Sequence, residues 1–481
     1  MIKKVLSLFS GKMKLEKIFL FLLLQPAVLT AQNNIRLFDN YMKGQSTIYQ
    51  FNGNVLVAKN GKIIYQKSFG YADYNSQKLL DENSIFDIGS IAKEFTSVGI
   101  LLLKDKGKIN LDDTIRKFFP ELPYTNITIA QLLTHTSGVP DGFDVGEKYF
   151  DHDRIATNQD LIRLLAKYQP PALFKPGENL MYSGTGFNLL ASIIEKISGQ
   201  SYNRYLNENI FKPLGMKSTM VANFPRNNKN TRGLAKGFIF IDSTKSYADA
   251  NSVYPDWASY LTGINGEGMI ITTTNDLLKW DRSLKNHQLL SAQTQQEMIT
   301  MHAEKENVPA VKFGYGIRVE SNELGDCIFH NGWYPGFKSM LIRYTLEDIT
   351  VIVLSNNQSQ SEFIADGLAS ITMNKKLMMP YHHEEAKLNT AFDNYVGKYM
   401  IPLTRPPYMT NFPVEIIVRN NHLYIHRPGA PEVELKSESE TKFFYGDGTD
   451  QQIEFEKDSA GNNFKVFYIG YGVKREIEKM N

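Results

Sequence analysis

The chain predicts an α+β protein followed by a small all-β unit, and three observations carry that expectation. Strand-like apolar runs lie at both ends of the first large segment while helical periodicity fills its middle, the pattern of segregated rather than alternating elements. Beyond residue 374 the sequence turns polar and then breaks into short alternating runs divided by turns, as a sandwich or barrel does. The length of 481 residues, at about 100–200 residues per domain, holds two or three such units. Composition agrees. Hydrophobic residues at 42% and charged residues at 22% argue against long disorder. The 25 Tyr and 29 Phe suit half-buried sheets.

The first segment reads as a leader. Residues 1–17 hold five Lys and one Glu, an apolar run Ile18–Leu24 follows, and Ala27-Val28-Leu29-Thr30-Ala31 precedes Gln32. A positive flank, a short apolar core and a small residue are the parts of a secretory signal peptide. Residues 1–31 are therefore expected to be removed and the protein exported, to the periplasm or outside the cell; left uncleaved, the segment would be an N-terminal anchor. Met13-Lys14-Leu15 opens a more compact form of the same signal. No other segment approaches the roughly 20 apolar residues of a membrane span, so no stable span is expected after cleavage.

The mature chain divides into a main domain at 32–374, a linker at 375–388 and a small β-barrel at 389–481. Two apolar runs within Asn54–Lys67 flank Asn60-Gly61, a type I′ hairpin signal. Gly89-Ser90 starts a helix whose Ile91, Ala92, Phe95, Val98 and Leu102 share one face, ending near Gly107. Helical patterns recur at Ile129–His135, Asn158–Tyr168, Gly186–Ser198 and Thr274–Lys285, and strands at Lys338–Tyr344 and Ile349–Ser355. The linker carries His382-His383-Glu384-Glu385, which lacks the helical spacing of a metal motif and reads as a solvated stretch. Strands of the last unit fall at Val414–Val418, His422–His426, Glu432–Leu435, Gln452–Glu456 and Phe464–Ile469, between turns such as Asn420-Asn421, Asp447-Gly448 and Ala460-Gly461-Asn462.

Charge and cysteine count exclude several functions. Lys plus Arg is 53 against 51 Asp plus Glu, a formal charge of +2 that offers no basic field for nucleic acid. The single cysteine, Cys327, excludes an intramolecular disulfide and a CxxC site, and reads as a small buried residue.

Chemistry begins at Ser90-Ile91-Ala92-Lys93. Three residues is nearly one helical turn, which sets the hydroxyl and the amine on one face. A serine at a helix start also offers its backbone N–H, with the helix dipole, to a developing oxyanion. Alone the motif is weak, but three others accompany it. Tyr182-Ser183 follows Lys175-Pro176-Gly177, His330-Asn331-Gly332 runs into Trp333-Tyr334-Pro335-Gly336-Phe337, and Leu132-Leu133-Thr134-His135-Thr136-Ser137-Gly138 lies between Ser90 and Tyr182.

With these residues the chain resembles the serine β-lactamase and penicillin-binding superfamily, most of all its class C β-lactamase, D-alanyl-D-alanine carboxypeptidase and carboxylesterase branch. The resemblance spans about Leu37–Thr372 and includes Gly266-Glu267-Gly268-Met269. It implies a β-lactamase/transpeptidase-like fold, an antiparallel sheet flanked by helices plus a helical subdomain. It implies Ser90 as the acylated nucleophile, Lys93 as its proton partner, and Tyr182 as general base or proton shuttle. His330 takes the place where many relatives have lysine. The backbone N–H groups of Ser90 and Trp333 would form the oxyanion hole, with Asn331 and Gly332 beside them on the substrate-binding edge. His135 is implied as part of a structural turn. Neither metal nor organic cofactor is implied. The trailing unit loosely resembles the lipocalin-like β domains that follow such hydrolases.

One position departs from the pattern: Tyr-x-Asn would place Asn at 184, and the chain has Gly184. The expected function is an exported serine hydrolase working through an acyl-enzyme on an ester, a D-amino-acid amide or peptide, or a β-lactam. Loss of the amide at 184, and a histidine that offers a substrate carboxylate only a weak, pH-dependent charge, favour small esters over β-lactams. The competing expectation is a catalytically weak or inactive binder of cell-wall peptides, in which Gly184 marks decay. Gly-x-Ser-x-Gly is absent, which removes an α/β-hydrolase elbow. Oligomeric state is not legible in the sequence.

Overall fold

Hydrophobic alternation in three neighbouring strands sets the architecture. In the computed structural model, which describes residues 35–224, 233–241, 243–305, 308–387, 392–401, 412–428, 431–457 and 464–480, the strands Gly53–Lys59, Ile349–Ser355 and Phe337–Tyr344 lie side by side. Successive side chains point to opposite faces of a strand. Val55, Val57, Met340, Ile342, Val351 and Val353 therefore pack on one face, with Phe38, Tyr41, Ile364 and Leu368 from the flanking helices. Leu56, Ala58, Leu341, Ile352 and Leu354 pack on the other, against Phe95 and Trp280. Both faces are buried, so these strands read as continuous apolar runs.

The sheet has eight antiparallel strands. From one edge to the other they are Ala303–Lys305, Val308–Phe313, Arg318–Asn322, Gly325–Tyr334, Phe337–Tyr344, Ile349–Ser355, Gly53–Lys59 and Lys62–Phe69. The N-terminal hairpin thus completes a sheet built mostly from the C-terminal third of the domain, and Asn60 and Gly61 take φ of 50° and 72°, as its turn requires. Helices 35–47 and Ser361–Thr372 cover one face. Ala92–Asp105 and Thr274–Lys285 cover the other and lead into a helical subdomain containing Asn158–Tyr168 and Gly184–Ser198. This is the expected α+β arrangement of an antiparallel sheet flanked by helices. The expected helix at Gly89 starts instead as a 3₁₀ turn, Gly89–Ile91, and becomes α-helical at Ala92.

The last unit is a closed barrel of eight antiparallel strands from Gly397–Ile401 to Val473–Lys479, closed by the Tyr399–Lys479 pairing. Tyr395, Tyr399, Phe443, Phe455 and Ile416 are buried together in its interior. The expected signal peptide at 1–31 and the turn at 460–462 lie outside the described residues. The stretch expected to be a solvated linker makes firm contacts. The His383 ring stacks on Phe444 with centroids 4.7 Å apart, and its nitrogens meet Tyr49 Oη and Glu438 Oε1, each at 3.1 Å. Cys327 is buried, as expected.

Candidate active site

Two glycines allow the site to form. Gly89 has φ +50°, and a Cβ there would stand 2.6 Å from Trp333 N. At Gly332 a Cβ would lie 1.9 Å from Ile88 O. The turn bearing Ser90 therefore lies flat on the Gly325–Tyr334 strand, which brings the backbones of Ser90 and Trp333 together. Ser339 Oγ donates to Ile88 O at 2.8 Å and ties the turn to the next strand. On the far side, Phe86–Asp87 pairs with Ile270–Thr272, so the loop before Ile270, including Gly266 and Glu267, is carried to the same place.

Ser90 lies in this turn with its side chain facing a cavity of about 250 Å³, also lined by Tyr182, Glu267, Arg318, His330 and Trp333. Lys93 Nζ donates to Ser90 Oγ at 3.0 Å and to Glu267 O at 2.9 Å, and the lysine side chain is 0% exposed. Tyr182 sits at the mouth, 40% exposed, with its ring 4.8 Å from the ammonium. His135, at φ +59°, supports it: the rings pack at a tilt with centroids 4.4 Å apart, and His135 Nδ1 accepts from Ser183 N at 3.1 Å. The turn around His135 is thus structural, as expected, yet it also sets where the tyrosine stands.

One expectation changes. His330 does line the cavity, but burial, with Lys93 nearby and despite the hydrogen bond to Asn331 O at 2.6 Å, pushes its pKa down to about 3. It is a neutral imidazole at physiological pH and brings no charge to a substrate carboxylate. Asn331 alternates with His330 along the strand, and its amide donates to Glu362 Oε1 at 2.9 Å. Asn331 lines the same cavity, with this amide turned to Glu362.

The sequence concealed two residues of the site. Arg318 is fully buried, with its guanidinium 4.7 Å from the Phe313 ring; its Nε and Nη1 have no hydrogen-bond partner among the described residues. Burial pulls its pKa down to about 10, which leaves it cationic at neutral pH. It is the charged group that faces the cavity in place of His330. Glu267 is the second, and burial holds its carboxyl above the usual range, with Lys93 opposing the rise. An arginine inside an alternating strand leaves no local signature, whereas Glu267 between two glycines was visible and lacked only its spatial context. Aromatic residues form the apolar wall: Phe143 stacks on Trp257 at 5.6 Å, and Trp257 meets Trp333 edge-on at 6.0 Å. The arrangement joins a serine hydroxyl, a buried lysine, a phenol and a guanidinium whose Nε and Nη1 have no partner among the described residues around one apolar cleft.

Comparison with known proteins agrees with this geometry. The family model described as Beta-lactamase matches residues 36–371. A penicillin-binding protein of Bacillus subtilis (strain 168) is 33% identical over 410 residues, 82% of this chain and 88% of that one. A solved penicillin binding protein from Bacillus halodurans is 26% identical with a TM-score of 0.59, over 69% of this chain and 97% of its own. The octameric penicillin-binding protein homologue from Pyrococcus abyssi shares the fold, with a TM-score of 0.64 at 23% identity over 92% of this chain and 99% of its own.

Proposed function

Because the chain belongs to the beta-lactamase family, a family of serine hydrolases, we propose that it is an exported hydrolase that forms an acyl-enzyme on Ser90, with a small ester or a D-amino-acid amide or peptide as substrate. The observation that carries this reading is the 3.0 Å contact between Ser90 Oγ and a fully buried lysine amine, under a tyrosine ring, at a cavity wall. A desolvated amine beside a serine is one way to activate that nucleophile.

In the proposed reaction Ser90 Oγ attacks the substrate carbonyl while its proton passes to Tyr182 as general base, and Lys93 holds Ser90 Oγ in place by donating to it. The oxyanion that forms is held between the N–H groups of Ser90 and Trp333, preorganised by the Gly89 and Gly332 contacts. Tyr182 at the mouth returns a proton to the leaving alkoxide or amine, and water then releases the acyl group. Arg318 supports a substrate with a carboxylate near the scissile bond, since a buried guanidinium with free N–H groups gains charge-assisted, bidentate bonds. Export rests on the composition of residues 1–31, and N-terminal sequencing of secreted protein, expected to begin at Gln32, tests it.

Intact-mass spectrometry of the whole chain with a fluorophosphonate, a penicillin and an activated ester tests the chemistry. One adduct per chain is expected on the native protein and none on Ser90→Ala with unchanged circular dichroism. An adduct that persists on Ser90→Ala overturns the assignment. Comparing kcat/KM for a p-nitrophenyl ester, nitrocefin and a D-alanyl-D-alanine peptide ranks the substrates, with nitrocefin expected last; a preference for nitrocefin would overturn the ranking.

A further inference from the structure

Position 184 has no side chain, and the space beside it is occupied. A Cβ on Gly184 would stand 1.8 Å from Glu267 Oε2 and 2.6 Å from its Cδ, so a side chain at 184 would displace this carboxylate from where it stands. Glu267 reaches that place on a loop that Thr96 pins by donating to Gly266 O at 2.6 Å. It meets Lys93 twice: its carbonyl accepts from Nζ at 2.9 Å, and Oε2 lies 3.9 Å from the same atom. Resting on the assignment of Ser90 and Lys93 above, we propose that Glu267 is a positioning residue for Lys93, and that Gly184 is the glycine its carboxylate requires rather than a mark of decay.

The surroundings of Lys93 explain the need. A buried ammonium is costly unless it is paired and hydrogen-bonded, and among the described residues its ion pair is with Glu267. Its other neighbours are the rings of Tyr182 and Phe187, at 4.8 and 5.6 Å. Of the titratable groups around it, His330 and His135 are held neutral by burial and by Lys93 itself, and Arg318 is cationic. Asp141 adds a second carboxyl, also raised by burial. The Glu267 carboxyl, 21% exposed, is thus the near counter-charge, and it can hold Lys93 against Ser90 while a substrate fills the cleft. Because its pKa is raised, acid protonates it at a higher pH than a surface carboxylate.

The test is a double-mutant cycle on the full chain, read as kcat/KM for an activated ester and as the rate of fluorophosphonate labelling. Glu267→Gln keeps shape and removes charge; a loss of about tenfold or more is expected, with an acid limb that no longer matches the native one. Gly184→Asn alone should lose as much, because its side chain collides with Glu267. Gly184→Asn with Glu267→Gly should recover most of the loss, since the asparagine amide then fills the vacated space beside Lys93. Glu267→Gln within twofold of native with an unmoved acid limb, or a double variant no better than either single one, overturns the proposal. Melting temperatures separate both from misfolding. Labelling of Ser90→Ala would instead defeat the nucleophile assignment, so the two failures are told apart.

Discussion

Tyr182 is held by ring contacts, and among the described residues its hydroxyl has no hydrogen-bond partner. Its ring is clamped between His135, at 4.4 Å, and the ammonium of Lys93, at 4.8 Å, while the residue remains 40% exposed. Packing therefore sets the ring and leaves the oxygen to chemistry. Tyr182→Phe should preserve the clamp and the melting temperature and lower turnover of a small ester by on the order of 10²–10⁴-fold, the range for a lost acid–base group. Near-native turnover of that variant would show that another group moves the proton. His330 illustrates the opposite balance. In solution an imidazole titrates near neutrality, yet here burial and the charge of Lys93 keep it neutral. The change from lysine therefore alters shape and hydrogen bonding in the cavity and leaves the task of attracting an anion to Arg318.

At the scale of elements, the site depends on how closely a turn approaches a strand. Ile88 O would lie 1.9 Å from a Cβ at Gly332, a backbone contact that no rotamer can relieve. Gly332→Ala should push the Ser90 turn off the strand, lower acylation at least tenfold and destabilise by about 1–3 kcal/mol, the usual cost of overpacking. Equal labelling rates for native and variant protein would show that the two N–H groups do not need this spacing. The elements legible in the sequence are those with a local signature. Helical periodicity predicts Asn158–Tyr168 and Thr274–Lys285 at their observed ends, where Thr157 and Thr273 accept from Asp160 N and Asp276 N as N-caps. Ile349–Ser355 was read as a continuous apolar run because both its faces are buried. The last barrel strand, Val473–Lys479, has no such signature, because five of its seven residues are Lys, Arg or Glu and only Val473 and Ile477 are buried. Ser90, Lys93, Tyr182 and His330 were legible as motifs in a fixed order. Glu267 and Arg318 were not, because their meaning lies in which distant residues they meet, and local periodicity carries no record of that.

For the molecule as a whole, the question is what makes the barrel and the main domain one folded body. Extended chain after residue 374 runs between them, with Met378 N bonded to Gly472 O and Ala386 N to Ser437 O. Tyr41 Oη donates to Tyr471 O, and Arg475 of the barrel pairs with Glu323 and Asp366 of the main domain. At the centre of this junction is Asp450, 2% exposed, which accepts from Gln45 Nε2 at 3.4 Å and Gln452 Nε2 at 3.3 Å. Burial raises its pKa from 3.8 to about 7, outweighing the hydrogen bonds from Tyr49, Gln45 and Gln452 and the charge of Lys442. The sign follows from proton linkage. Between about pH 4 and 7 the folded state keeps a proton on Asp450 that the unfolded state has lost, so its contribution to stability falls as pH rises through that window and is level above it. At about 1.4 kcal/mol per pKa unit, the swing is on the order of 2–4 kcal/mol. Asp450→Asn keeps a neutral, hydrogen-bonding side chain of the same shape and cannot ionise. Its unfolding free energy should match that of the native protein near pH 4, exceed it increasingly up to about pH 7 and hold that excess above. Urea titrations of both proteins at several pH values would measure the difference. A difference that stays constant from pH 4 to 8, or grows in the other direction, would mean that the junction does not bury this carboxyl as a neutral group.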